Sequence, residues 1–127
     1  MIHLDTHVVV WLGVGRFESI SPAVIERIET DDVAVSPMVE LELAFLHEIG
    51  RLADRPPGFL AALQRSMGLE IDGTSFAAVS SLSATEEFAF TRDPFDRVIA
   101  AQASAAGAVL ATKDRVLRQH LELAIWD

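Results

Sequence analysis

The feature that most restricts the fold of this chain is a set of five short apolar runs, none long enough to stand alone. They are Ile2-His3-Leu4, Val33-Ala34-Val35, Leu69-Glu70-Ile71, Ala108-Val109-Leu110-Ala111 and Leu123-Ala124-Ile125-Trp126. Between them lie stretches whose apolar residues recur at helical spacing. Strands that alternate with helices predict an α/β fold around a mostly parallel sheet of four to five strands.

Helix starts are marked by proline behind a side chain that accepts a hydrogen bond. Ser21-Pro22 opens a helix through about Thr30, with Ala23, Val24 and Ile28 as core candidates. Ser36-Pro37 opens the next, from about Met38 to Ile49. Asp93-Pro94 opens a third, in which Phe95, Ile99, Ala103 and Ala106 form the apolar stripe and Gly107 is the stop. Val8 to Leu12 predicts a short buried helix, with Gly13 and Gly15 as punctuation after it. Phe59 to Met67 and Thr74 to Ala84 predict two more, the second with Phe76, Val79 and Leu82 inward, and Asp114 to Arg118 a short one. Gly50 to Gly58, with paired prolines and two arginines, reads as a linker-like connection.

At 127 residues the chain is expected to be a single domain, residues 1–127. With half its residues hydrophobic and 23% charged it is globular rather than disordered. It has no cysteine, so neither a disulfide scaffold nor a thiolate metal site is available. No apolar run reaches the roughly 18 residues of a membrane span, and the first residues lack a basic leader, so a cytoplasmic location and no membrane partner are expected. The formal charge of −9 excludes nucleic-acid binding by net charge alone. Any such role needs a cation, a local basic rim or a basic partner.

The default reading of the acids is a solvated surface, and the question is whether some stand where solvation is poor. Asp5 ends the first strand and Asp114 ends the fourth. Each has the plain reading of a helix N-cap. In a parallel sheet, however, ligands collect outside the carboxyl ends of strands, so neighbouring first and fourth strands bring both carboxylates to one crevice. On the Met38–Ile49 helix, at about 100° per residue, Met38, Phe45, Leu46 and Ile49 are expected to share the apolar face with Glu42 at its centre, and Glu40 to face solvent. A Glu so placed needs a partner, which an Arg or Lys could provide. Asp96 flanks the apolar stripe one turn before Ala100. Asp93 is read first as the cap of its helix. Together Asp5, Glu42, Asp96 and Asp114 make an all-oxygen set that, without a cation, drives its members' pKa values upward. Hard divalent cations take such ligands. The four histidines show no zinc-motif spacing, and no glycine-rich phosphate loop is present.

With these residues in place the chain resembles the PIN-domain ribonucleases, specifically the VapC-type toxins of bacterial type II toxin–antitoxin pairs. The resemblance runs through Leu4-Asp5-Thr6-His7, Val35-Ser36-Pro37-Met38-Val39-Glu40-Leu41-Glu42-Leu43-Ala44, Arg92-Asp93-Pro94-Phe95-Asp96-Arg97 with Ile99 to Ala103, and Leu110-Ala111-Thr112-Lys113-Asp114. Each motif alone is common; four in this order are specific. The chain departs from the family pattern at Pro37-Met38-Val39, and at Phe88-Ala89-Phe90-Thr91, where a His is common.

The resemblance implies a three-layer α/β/α sandwich and a catalytic, metal-holding tetrad of Asp5, Glu42, Asp96 and Asp114. Thr6, Asp93 and Thr112 are implied as auxiliary residues beside it, and Arg92, Arg97, Lys113 and Arg115 are candidate contacts to RNA phosphate. It also implies Mg²⁺- or Mn²⁺-dependent endonucleolytic cleavage of RNA, a homodimer, and a cognate VapB-type antitoxin. Two other readings fit the residues less well. One is phosphoryl transfer with Asp5 as nucleophile; the haloacid-dehalogenase-like pattern for it needs an acid at position 7, where this chain has His7. The other is a catalytically inactive PIN-fold binding module.

Overall fold

The structure, a computed structural model, describes residues 1–127. Five strands form one wholly parallel sheet in the order β3-β2-β1-β4-β5: β1 (Ile2–Leu4), β2 (Val33–Val35), β3 (Glu70–Ile71), β4 (Val109–Ala111) and β5 (Ala124–Ile125). The first and fourth strands are neighbours: Ile2, His3 and Leu4 lie opposite Val109, Leu110 and Ala111. Successive side chains of a strand point to opposite faces. Ile2, His3 and Leu4 are all buried, so helices cover both faces of β1 and the architecture is three-layered.

Seven α-helices make the outer layers: α1 (Thr6–Val14), α2 (Pro22–Thr30), α3 (Pro37–Glu48), α4 (Pro56–Met67), α5 (Phe76–Ser83), α6 (Pro94–Ala105) and α7 (Arg115–His120). The capping logic holds in detail. Ser21 Oγ accepts from Val24 N at 3.3 Å, Ser36 Oγ accepts from Met38 N at 3.1 Å, and each helix carries its proline in the first turn. Asp93 Oδ1 accepts from Phe95 N at 2.9 Å and from Asp96 N at 3.4 Å.

Three expectations need correction here. Gly13 lies inside α1 rather than after it; a Cβ there would stand 2.0 Å from the Phe59 ring, so the glycine lets α4 approach. Gly15, at φ 78°, is the true helix end. The Pro56-Pro57 pair is the first turn of α4 and not a linker, because proline fits where backbone N–H groups have no helical partner. Phe76 is 73% exposed, and Val79 is the residue of α5 that is fully buried.

The buried face of α3 is Val39 and Leu43, with Leu46 partly covered, whereas Leu41, Phe45 and Ile49 are exposed. The core-facing arc is thus rotated by roughly a quarter turn from the expected one. The helix carries apolar residues on more of its circumference than the core takes up. Glu42 sits at the flank of the buried stripe, and Glu40 is partly buried rather than open to solvent.

A polar cluster ties the sheet to α3 and α6. Gln102, buried on α6, donates from Nε2 to Asp72 Oδ2 at 2.6 Å and accepts from Ser36 Oγ at 3.3 Å. Burial pushes the Asp72 carboxyl up, but the donors Gln102 and Thr74 outweigh it and leave the group below its ordinary value. His3 Nε2 lies 3.9 Å from Asp72 Oδ1, and burial holds the imidazole below its usual pKa.

Candidate functional site

The carboxyl ends of β1 and β4 open into a cleft of about 360 Å³ lined by Asp5, His7, Trp11, Glu42, Asp93, Asp96, Lys113 and Asp114. Asp5 and Asp114 reach it as the residues that leave a strand and cap a helix. Asp5 precedes α1, and Asp114 Oδ1 accepts from Leu117 N in α7 at 2.9 Å. Glu42 arrives from the middle of α3, and Asp93 and Asp96 from the start of α6. All four proposed tetrad acids, far apart in the chain, therefore share one concavity with Asp93.

Hydroxyls set the carboxylates in place. Asp5 is almost wholly buried; its Oδ1 accepts from Thr6 N at 2.8 Å and its Oδ2 from Thr112 Oγ1 at 2.6 Å. Thr6 Oγ1 in turn donates to Glu42 Oε1, so the partner of Glu42 is a threonine hydroxyl and not the Arg or Lys considered from the sequence. Asp114 N donates to Thr112 Oγ1 at 3.0 Å. Asp96 is different: no donor reaches its carboxylate.

The electrostatics follow from this crowding. Burial first, then the charges of Asp5, Asp93, Asp114 and Glu42, push Asp96 up to about 7. Burial also raises Asp5, against the pull of Thr112 and Thr6, and raises Glu42 against the pull of Thr6. No three of these side chains close around a point tightly enough to hold an ion by direct bonds alone. Such a spread suits Mg²⁺, which keeps several waters and binds through few carboxylates. The donor set is all-oxygen and hard, and burial, then the neighbouring acids, makes a bare negative charge costly on Asp5, Glu42 and Asp96. The residues present fit a hard dication.

The profile of the PIN domain family matches residues 2–121. The chain belongs to that family. This PIN domain is 35% identical over 125 residues to Ribonuclease VapC22 of Mycobacterium tuberculosis, over 92% of this chain and 89% of that protein. The likeness makes it a VapC-type PIN protein, as its motifs indicated. It also superposes on a chain of the crystal structure of VapBC2 from Rickettsia felis bound to a DNA fragment from their promoter. That match has a TM-score of 0.69 and 22% identity, covers 100% of both chains, and shows a shared fold.

Within the PIN cleft the four candidate phosphate-binding cations have separate fates. Lys113 lines the cleft. Arg92 and Arg115 are exposed and outside its lining, and Arg97 turns its Nε to Ser83 O at 3.2 Å, tying α6 to the end of α5. Two lining residues were not picked out from the sequence, His7 and Trp11. They lie one turn apart on α1 directly after Asp5, a spacing that puts them on one helix face beside that carboxylate.

Proposed function

We propose that this PIN domain is an endoribonuclease, the toxin of a toxin–antitoxin pair, and that it hydrolyses RNA phosphodiesters with Mg²⁺ or Mn²⁺ held by Asp5, Glu42, Asp96 and Asp114. The observation that carries the reading is the convergence of five carboxylates on one cleft with a single lysine on its rim. The relationship to a protein named a ribonuclease supports it.

A bound dication supplies there the charge that offsets the crowded acids, acidifies a water and stabilises the phosphate as negative charge grows on it. The chain does the rest. Asp5, held by two donors, is a fixed oxygen ligand. Glu42 commits one oxygen to Thr6 and keeps the other to orient the attacking water. Asp96 offers both oxygens to the cleft, and Asp114 keeps Oδ2 while Oδ1 caps α7. Asp93 caps α6 and adds negative charge next to Asp96. Lys113 meets the phosphate of the incoming strand, and Thr6 and Thr112 hold the carboxylates against their mutual repulsion. The alternative in which Asp5 attacks phosphorus directly is disfavoured by its burial and by the donors on both of its oxygens, which quench its nucleophilicity.

The test is cleavage of a labelled unstructured RNA by the purified protein. Mg²⁺ or Mn²⁺ is expected to produce fragments with 3′-hydroxyl and 5′-phosphate ends, and EDTA to stop the reaction. Asp5→Asn and Asp96→Asn are expected to abolish cleavage without changing the circular dichroism. Full activity in either variant defeats the assignment.

The same reading brings in a homodimer and a cognate antitoxin of the VapB type, acting in the cytoplasm. No helix is long and apolar enough to cross a membrane. Leu41, Phe45, Ile49 and Phe76 leave apolar surface free for a protein partner, and the charge of −9 suits a basic one. Light scattering of the isolated chain and co-purification with the product of a neighbouring gene check the two associations.

A further inference from the structure

The acid centre accounts for Asp5, Glu42, Asp93, Asp96 and Asp114, and the phosphate for Lys113. It leaves the aromatic side of the cleft without a role. The His7 and Trp11 ring centroids are 6.1 Å apart with planes tilted by 48°, and Trp11 is backed at 6.1 Å by the buried Trp126. Trp11 is half-buried, with one side against the core and the rest on the cleft wall; His7 is exposed and makes no hydrogen bond. Lys113 Nζ stands over the Trp11 ring, 5.9 Å from its centroid, on an exposed side chain that must move aside for a base to stack there.

We propose that His7 and Trp11 form a stacking wall that takes the unpaired base next to the scissile phosphate. The inference rests on the nuclease reading and adds to it the form in which the RNA is held. The floor of the cleft repels phosphate wherever a cation is absent, so a strand enters with its phosphate toward the dication and Lys113. A phosphate on Lys113 brings its own nucleoside alongside Trp11, because lysine and indole are already in contact range. A base lying on the indole face is held without being read, since every base has a π-face and the indole carries only one N–H. The base must be out of a helix to lie there. The wall therefore selects single-stranded segments and tolerates base identity, in a protein whose net charge gives it no general grip on RNA.

The test compares cleavage of a short unstructured RNA by the wild type, His7→Ala, Trp11→Leu and Trp11→Phe, with an abasic nucleotide walked through each position of the substrate. Trp11→Leu preserves apolar bulk against Trp126 and removes the indole face; His7 is exposed, so its removal leaves packing intact. KM is expected to rise about 10-fold in Trp11→Leu and several-fold in His7→Ala, the loss falling on KM rather than kcat, with Trp11→Phe recovering most of it. One abasic position should cost the wild type about as much as Trp11→Leu does, and cost Trp11→Leu almost nothing further. If the wild type cleaves RNA but the abasic penalty is the same in Trp11→Leu, stacking is overturned and the nuclease reading stands. If the wild type cleaves no RNA, the nuclease reading fails. Fluorescence of a 2-aminopurine-labelled strand added to the wild type in Mg²⁺ then decides the wall alone: quenching that Trp11→Leu abolishes supports it, and no quenching at any position overturns it.

Discussion

Thr112 donates its hydroxyl to Asp5 Oδ2 at 2.6 Å and through the same oxygen accepts from the backbone N–H of Asp114 at 3.0 Å. One side chain thus stitches the end of β4 to the end of β1 and fixes the separation of two site carboxylates. Thr112→Val keeps the shape and removes both bonds, leaving a buried carboxylate short of a donor. The expected loss is about 1–3 kcal/mol of stability, read by urea denaturation, together with a fall in cleavage; Thr112→Ser is expected to restore both.

Asp96 carries the opposite balance. Its folded pKa of about 7 lies above the unfolded value of about 3.9, so between those limits the folded form keeps a proton that the unfolded chain has released. Stability of the cation-free protein is therefore expected to fall as the pH rises from about 4 through about 7. Asp5 and Glu42, also raised, act with Asp96; Asp72, held below its ordinary value, acts in the other sense under about pH 4, and His3, held low by burial, does so below its unfolded value of about 6.5. Asp96→Asn should flatten the neutral part of the profile and raise Tm at pH 7.5 while ending RNA cleavage. A Tm at pH 7.5 no higher than the wild type's counts against the crowding account.

A cation that occupies the cleft competes with that proton. Addition of Mg²⁺ or Mn²⁺ is expected to raise Tm at pH 7.5 and to raise it much less at pH 5, where Asp96 is protonated. Thermal melts at the two pH values, with EDTA as the control, give the comparison.

Gly13→Ala tests the contact between α1 and α4. The new methyl group would meet the Phe59 ring 2.0 Å away, and the expected result is a destabilisation of about 1–3 kcal/mol from displacement of that ring. Gly58→Ala, which meets nothing within 4 Å, is the control and should be close to neutral.

Where a local rule decides an element, the sequence was a sufficient guide. Ser21-Pro22 located the start of α2, and its end at Thr30 also agrees; Asp93-Pro94 did the same for the start of α6. The placing of Asp5 and Asp114 in one crevice followed once β1 and β4 paired. What escaped depended on tertiary surplus. The orientation of α3 could not be ranked from periodicity, because Phe45 and Ile49 compete with Val39 and Leu43 for the same inference and only the sheet decides between them. Phe88, fully buried in the 3₁₀ turn Glu86–Phe88, has too few neighbours in sequence to show a period. His7 and Trp11 were hidden for another reason: an aromatic one turn from a histidine in an apolar run reads as core until the opposite wall of the cleft is known.

The strand order also bears on when the protein acquires its chemistry during synthesis. β1 waits for β4 before its second edge is covered, and the Asp5–Thr112 bond that joins their ends spans 107 residues of sequence. A ribosome that stalls short of Thr112 holds a polypeptide with Asp5, Glu42 and Asp96 already made but no enclosure to gather them. The acids of the cleft therefore converge only once β4 and Thr112 have been made and have joined β1.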